Sequence, residues 1–407
     1  MMATKGKKKI LIVLTGGTIC SVFNGKVKEA GDQAKTILEE SFLNSYSPYA
    51  NDVTFVSTKN YKIFSENMTV DIWNTFIKDF RKMPEFRDTA IAHGNYPSLE
   101  NCKIDKEENV LDGIIIAHGT DTLAYSSSLF SILLKELGVP VFFVSSNEAL
   151  SADRANGKDN FAAAVECICM GIKPNVYVTY KNICDDRMYL HYGSRLEQCA
   201  NYKEDFYSAG MVDITDITPS DAYTFFAKLP AAHPDLAFKD EKGNEKVVDL
   251  FDDWELYRSV LRVEPYVGLD YSFFNYKNVS AILHGTYHSG TVCSGHFDEE
   301  KEDEKNAPDA ISALIQASGD VPIYIAPSDV SGVVYDTVNK VCSEKKEKIA
   351  FVNGYTTEML YAKLLVATAC PALKADVTSF LSTEYNHELV TQVKDNPQIL
   401  SFAKSKQ

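Results

Sequence analysis

Apolar positions along the chain fall into short runs separated by longer stretches in which they recur at i, i+3 and i+4. The runs at 9–14, 52–57, 113–117, 139–145 and 175–180 predict β-strands, and the stretches at 71–81, 122–137 and 160–170 predict helices that bury one face. Strand and helix alternate, which is the pattern of a parallel sheet wound by right-handed crossovers. Between 213 and 254 the periodicity weakens, Pro219, Pro230 and Pro234 accumulate, and a polar cluster follows at 239–246, so this stretch predicts a connector. Beyond it the alternation resumes, with strands at 259–263, 279–283, 322–326 and 348–352 and helices at 309–317 and 357–369. The expected fold is α/β: a larger N-terminal doubly wound, mainly parallel sheet over 1–212, a connector over 213–256 and a second, smaller α/β domain over 257–407.

Length supports that division, because one core seldom organises 407 residues. With 45% hydrophobic and 24% charged residues the chain has a globular, soluble balance. Its formal net charge of −15, with no basic stripe interleaved with aromatics, argues against a nucleic-acid binder. The alternating charges at 298–305 predict a solvated loop. Nine scattered cysteines, an odd number, predict free thiols rather than a disulfide framework. Cys167 and Cys169 share an apolar helical run without a second pair at zinc spacing, so they are expected in the core. The basic start, 1–9, precedes only five apolar residues, too few for a signal peptide, and no stretch reaches a membrane span. No membrane association and a cytoplasmic location are the resulting expectations.

Candidate chemistry sits in two Thr-rich clusters, each just after a predicted strand: Leu14-Thr15-Gly16-Gly17-Thr18-Ile19 and Ala117-His118-Gly119-Thr120-Asp121-Thr122. Ligands of open α/β sheets occupy the crevice at the carboxyl ends of the strands. A Thr hydroxyl is a poor nucleophile until a base, an orienting charge and oxyanion donors surround it. Gly16 and Gly17 permit a tight turn that brings backbone N–H groups close to a substrate. The competing reading is that these residues cap helices and turns, which is expected for Thr122; Thr18 and Thr120, in matching strand-to-turn contexts, are the functional candidates. His118 is read as a structural residue at a strand end.

As a set these segments resemble the bacterial-type L-asparaginase/glutaminase family, whose signatures are T-G-G-T-I and H-G-T-D-T. Ser65-Glu66-Asn67-Met68 followed by Trp73, Ser151-Ala152-Asp153 with Asn160, and Tyr355-Thr356-Thr357-Glu358 leading to Lys363-Leu364 extend the resemblance over nearly the whole chain. It implies Thr18 as nucleophile, Thr120 as second catalytic hydroxyl, and Asp121 as its partner and acceptor of the substrate ammonium. It also implies Ser65 and Glu66, with Gly17 and Gly119, as substrate-binding positions, a homodimer or homotetramer, and no cofactor or metal. Two features depart from the family. The neighbourhood of its catalytic Lys reads 186–198 here without a Lys; Arg195 is the best-placed cation, able to orient Asp121 but not to act as a base, and Lys203 is the second candidate. The loop at 20–27 offers Phe23 where the family supplies a Tyr. A third segment, His284-Gly285-Thr286-Tyr287-His288, predicts strand-end structure or substrate contact rather than a metal pair.

The reading is an amidohydrolase converting L-asparagine to L-aspartate and ammonia through an acyl-enzyme on Thr18. The alternative is a catalytically weakened module that binds an amino acid or small amide. An amidotransferase component acting on aminoacylated RNA is disfavoured by the acidity.

Overall fold

The computed structural model describes residues 6–23, 28–30, 33–58, 60–218, 221–222, 226, 229, 238–239, 242–295, 307–328 and 347–389. The predicted loop at 298–305, Asn24 to Val27, Cys342 and the three connector prolines lie outside the described residues.

Seven strands form the first sheet: β1 (Lys8–Leu14), β2 (Val53–Ser57), β3 (Gly113–Ala117), β4 (Val141–Val144), β5 (Val176–Lys181), β6 (Met188–Tyr192) and β7 (Val212–Asp213). Their order is β7-β6-β5-β4-β3-β1-β2, parallel from β2 to β5 and antiparallel at β6 and β7. Apolar residues fill both faces of the inner strands, as a doubly covered parallel sheet requires. Leu11, Val13, Ile114 and Ile116 face the helices α2 (Val70–Lys82), α3 (Pro84–His93) and α4 (Leu123–Leu133). Ile10, Ile12, Ile115 and Ala117 face α1 (Ala34–Leu43) and α5 (Gly157–Cys169).

Local sequence explains the helix ends. Thr69 accepts a bond from Ile72 N–H to start α2, Asp71 lies in its first turn and Arg81 and Lys82 in its last, which suits the helix dipole. Trp73, Phe76, Ile77 and Phe80 form its buried stripe, each contributing about 1.5–3 kcal/mol of burial.

The second sheet is wholly parallel: β8 (Val260–Val263), β9 (Ala281–His284), β10 (Ile323–Ser328) and β11 (Ile349–Asn353) in sequence order, with α6 (Ile311–Ala317), α7 (Thr357–Ala369) and α8 (Val377–Ser382). One apolar cluster runs through both units, joining α2 and α4 to Ala281, Leu283, Met359 and Leu360.

The described part of the connector packs against the core. Val248 and Leu250 are fully buried, Asp249 accepts bonds from the Ser98 backbone (2.8 Å) and hydroxyl (3.0 Å), and Arg81 donates to the carbonyls of Leu250 and Trp254. Irregular backbone therefore finds its partners in α2 and the loop after α3, which apolar periodicity alone does not reveal.

Candidate active site

Strand order places the site. After β1 the chain adds β2 on one side and then β3 on the other, so the crevice between the carboxyl ends of β1 and β3 is the topological switch point of this sheet. The two Thr-rich clusters begin at these two strand ends. Thr15 ties them together, donating from its hydroxyl to the Ala117 carbonyl at 2.8 Å.

Glycine makes the approach closer still. Gly17, at φ 75°, lies so near the second cluster that a Cβ there would stand 2.3 Å from Gly119 Cα. A Cβ on Gly119 would stand 2.3 Å from Ser65 Oγ. Two backbones and the Ser65 side chain thus meet at this point, and Thr18 and Thr120 leave it one residue on. Thr18 opens a short 3-10 turn, Thr18–Cys20, and is partly exposed.

Ser65 is buried and clasps the second cluster. Its hydroxyl donates to Asp121 Oδ2 (3.1 Å) and accepts from Asp121 N–H (3.2 Å), while its carbonyl accepts from the Thr122 hydroxyl (3.0 Å). Thr122 does occupy the N-cap position of α4, yet its side chain caps nothing. The hydroxyl goes to Ser65 instead, and the Ala124 N–H that a cap would take is bonded by Gln198 (3.3 Å). Glu66, in the 3-10 turn Ser65–Asn67, is exposed.

Arg195 turns away from this cluster. Its guanidinium donates to the carbonyls of His387 and Leu389 and lies over the Tyr192 ring, and among the described residues no ion pair joins it to Asp121. Burial pulls its pKa below the usual range, opposed by Tyr192, Glu384 and Glu388. Arg195 is therefore an anchor for the strip after α8, not the cation facing Asp121 that the family resemblance implied. That strip also holds Glu388, which pairs with Lys363 at 2.6 Å, both side chains fully buried. Lys363 of the K-L segment is thus bound to this strip, and Asn160 crosslinks strand ends by bonds to the Ser145 carbonyl and Lys181 N–H.

A cavity of about 780 Å³ opens beside the clasp, within the range of small-molecule sites. Thr120, Asp121, Asn147, Tyr180, Gln198 and Lys203 line it. Two of these stand out from the fold more than from the sequence. Gln198 donates to the Thr120 carbonyl (2.8 Å) and accepts from Ala124 N–H (3.3 Å), fixing the turn that carries Thr120. Lys203 lies in a polar run that by spacing alone is a poorer candidate than Arg195; the antiparallel pairing of Leu196–Glu197 with Tyr207–Ser208 folds that run back over the cavity.

His118 is buried, and burial pulls its imidazole pKa down to about 4. It stays neutral, donating from Nδ1 to the Gly119 carbonyl at 2.7 Å. His284 does the same with Gly285 in the second sheet, and its Nε2 meets the Tyr271 hydroxyl at 2.7 Å. The segment His284-Gly285-Thr286 is thus strand-end structure.

Fold and site together define a two-domain α/β protein with paired hydroxyl loops at the switch point of its larger sheet. A family model for the N-terminal domain of asparaginases matches residues 100–221 of the chain. Among curated relatives, a glutamyl-tRNA(Gln) amidotransferase subunit from Methanosphaera stadtmanae is 22% identical over 402 residues, covering 96% of this chain and 78% of that protein. Its counterpart from Methanosarcina mazei is 24% identical over 237 residues, or 58% of this chain; the match spans 49%, about half, of that relative's length. Among solved structures, the thermostable L-asparaginase from Thermococcus kodakarensis superposes with a TM-score of 0.63 at 18% identity, over 94% of this chain and all of that one. L-asparaginase I from Vibrio cholerae gives 0.59 at 19% identity, over 95% of this chain and all of that one. At these identities the structural likeness speaks for the fold. No described helix is long and apolar enough to cross a membrane.

Proposed function

We propose that the chain hydrolyses the side-chain amide of L-asparagine, or a close relative, to the acid and ammonia, with Thr18 as nucleophile. The observation that carries this reading is the contact of Gly17 with Gly119, which sends two Thr-bearing turns into one crevice. Attack by Thr18 on the amide carbon releases ammonia and leaves an ester on its oxygen; water then cleaves the ester and returns the proton to Thr18. Asp121, held by Ser65, presents a carboxylate oxygen to the substrate ammonium, and Thr120 supplies the second hydroxyl. Lys203, on the wall of the same cavity, takes the part that the family resemblance assigns to Arg195. Glu66 and the N–H groups around Gly17 and Gly119 complete the substrate contacts in this proposal, in which copies of the chain assemble as a homodimer or homotetramer.

Ammonia release from L-asparagine and L-glutamine by the wild type, Thr18→Ala and Thr120→Ala tests the reading. Release abolished in both variants supports it. Binding of L-asparagine without any release by the wild type would replace it with the binding-module alternative.

A second reading draws on the relatives named as components of a glutamyl-tRNA(Gln) amidotransferase. In it the same chemistry supplies ammonia to a partner protein that acts on aminoacylated tRNA. Purification of the native protein with a protein partner and tRNA would favour it; recovery of the chain alone in active form would count against it.

A further inference from the structure

Three adjoining strands present, at one level and on one face, a polar side chain whose outer atom meets no other group of the protein. Ala117 pairs with Val144 and Val144 with Thr179. The ladder continues one step through the bond from His118 N–H to the Val144 carbonyl (2.9 Å), so His118, Ser145 and Tyr180 stand in a row across the ends of β3, β4 and β5. Strand alternation turns all three to the face that carries Ile116, Phe143 and Val178. The His118 ring packs edge-on against Phe143, and Tyr180 against Phe206. Ser145 and Tyr180 are wholly buried and His118 is 1% exposed. His118 Nε2, Ser145 Oγ and the Tyr180 hydroxyl are buried without a hydrogen-bond partner. Asn156 stands beside the Tyr180 hydroxyl; its carboxamide donates one hydrogen to the Lys181 carbonyl (2.8 Å) and accepts from Asn147 N–H (3.0 Å), so only its second N–H is left to face the Tyr180 oxygen, and the Tyr180 hydrogen still needs an acceptor.

Neighbouring strands lie about 4.8 Å apart, so Ser145 on the middle strand has His118 and Tyr180 as its next-strand neighbours. Folded proteins rarely leave buried polar atoms unmet, and a cluster of them is where an internal molecule is held. The donor pattern says which molecule. His118 spends its Nδ1 hydrogen on the Gly119 carbonyl, so Nε2 offers only a lone pair. The two hydroxyls donate and accept. The occupant must therefore donate to the imidazole, accept from a hydroxyl and, in so apolar a setting, carry no charge.

We propose that His118, Ser145 and Tyr180 hold one small neutral hydride, water or ammonia, in a buried site behind the Thr120 turn, with Tyr180 as its link to the main cavity. Tyr180 belongs to the wall of that cavity, and His118 bonds the peptide that precedes Thr120, so the occupant connects the cavity wall to the turn that carries the second hydroxyl. The site stands on its own geometry; only ammonia as the occupant rests on the amide-hydrolysis reading.

A high-resolution crystal structure of the full chain, grown without ammonium, tests the site. A density peak within hydrogen-bond distance of His118 Nε2 and at least one of the two hydroxyls supports it, and an empty row overturns it. The occupant is then distinguished by titrating ammonia, with potassium chloride as control, into protein labelled with 15N-histidine. A saturating shift of the His118 Nε2 resonance, weakened about tenfold in Tyr180→Phe by the loss of one hydrogen bond, identifies ammonia. A resonance that ignores ammonia identifies water. Neither readout requires turnover, so an inactive enzyme with an occupied row would refute amide hydrolysis and leave this site standing.

Discussion

Replacing Gly119 with alanine adds a single methyl group where three segments meet. The backbone there, at φ −82° and ψ 162°, is one that alanine adopts freely, so the effect is steric. The new Cβ would lie 2.3 Å from Ser65 Oγ, 2.7 Å from Ser65 Cβ and 3.0 Å from Gly17 Cα. Ordinary contact begins at about 3.5 Å, so Ser65 must withdraw by roughly 1 Å. Its bond to Asp121, already 3.1 Å long, does not survive that displacement. A shift of about 1 Å among reacting groups lowers turnover about 100-fold, while overpacking of this kind removes ~1–3 kcal/mol of stability, which leaves a folded protein. Ammonia release from L-asparagine, measured beside a urea unfolding midpoint, is the assay. Gly17→Ala should be worse, since φ 75° adds backbone strain and the clash is with Gly119 Cα rather than a side chain that can turn. A folded Gly119→Ala protein with wild-type kcat/KM would refute the idea that close glycine contact assembles the site.

Three further outcomes follow from the same contacts. Lys363→Met strands the buried Glu388 carboxylate and should cost about 3–5 kcal/mol, read as a lower urea midpoint together with faster proteolysis after Thr383; an unchanged midpoint would count against it. Arg195→Lys should lower the thermal midpoint through its lost grip on His387 and Leu389, whereas Lys203→Ala, at an exposed position, should leave stability within about 0.5 kcal/mol and cut ammonia release at least tenfold; the reverse pattern would restore Arg195 as the catalytic cation. Burial holds the His118 and His191 pKa values at about 4 and about 3, so the unfolded chain binds protons below pH ~6.5 that the native chain refuses. Stability is then complete above that pH and falls as pH drops towards 4, by ~3 kcal/mol for His118 alone; midpoints that do not change between pH 7 and 5, or an equal acid loss in His191→Gln, would contradict this.

Periodicity discloses the inner strands well because they are buried on both faces and rich in β-branched residues. The run at 113–117 matches β3, and that at 357–369 matches α7, to the residue. It misses α1 and α3, β6, whose apolar run is interrupted by His191, and β7, which is only two residues long. The paired Thr clusters are legible because each directly follows a strand that apolar patterning discloses, β1 and β3. Arg195 misleads for a physical reason: the family resemblance sets a cation from its neighbourhood against Asp121, but the carbonyls of a segment 192 and 194 residues later claim its donors. Gln198 carries no motif of its own, and only the fold brings its amide to the Thr120 carbonyl.

Hydroxylamine partitioning tests the account's central claim most directly. If amide cleavage passes through an ester on Thr18, hydroxylamine added to the wild type with L-asparagine intercepts the ester, and the β-hydroxamate of aspartate accumulates at the expense of aspartate. Thr18→Ala should form neither product. Ammonia and aspartate released without hydroxamate, or a Thr18→Ala protein that still makes both, would contradict it.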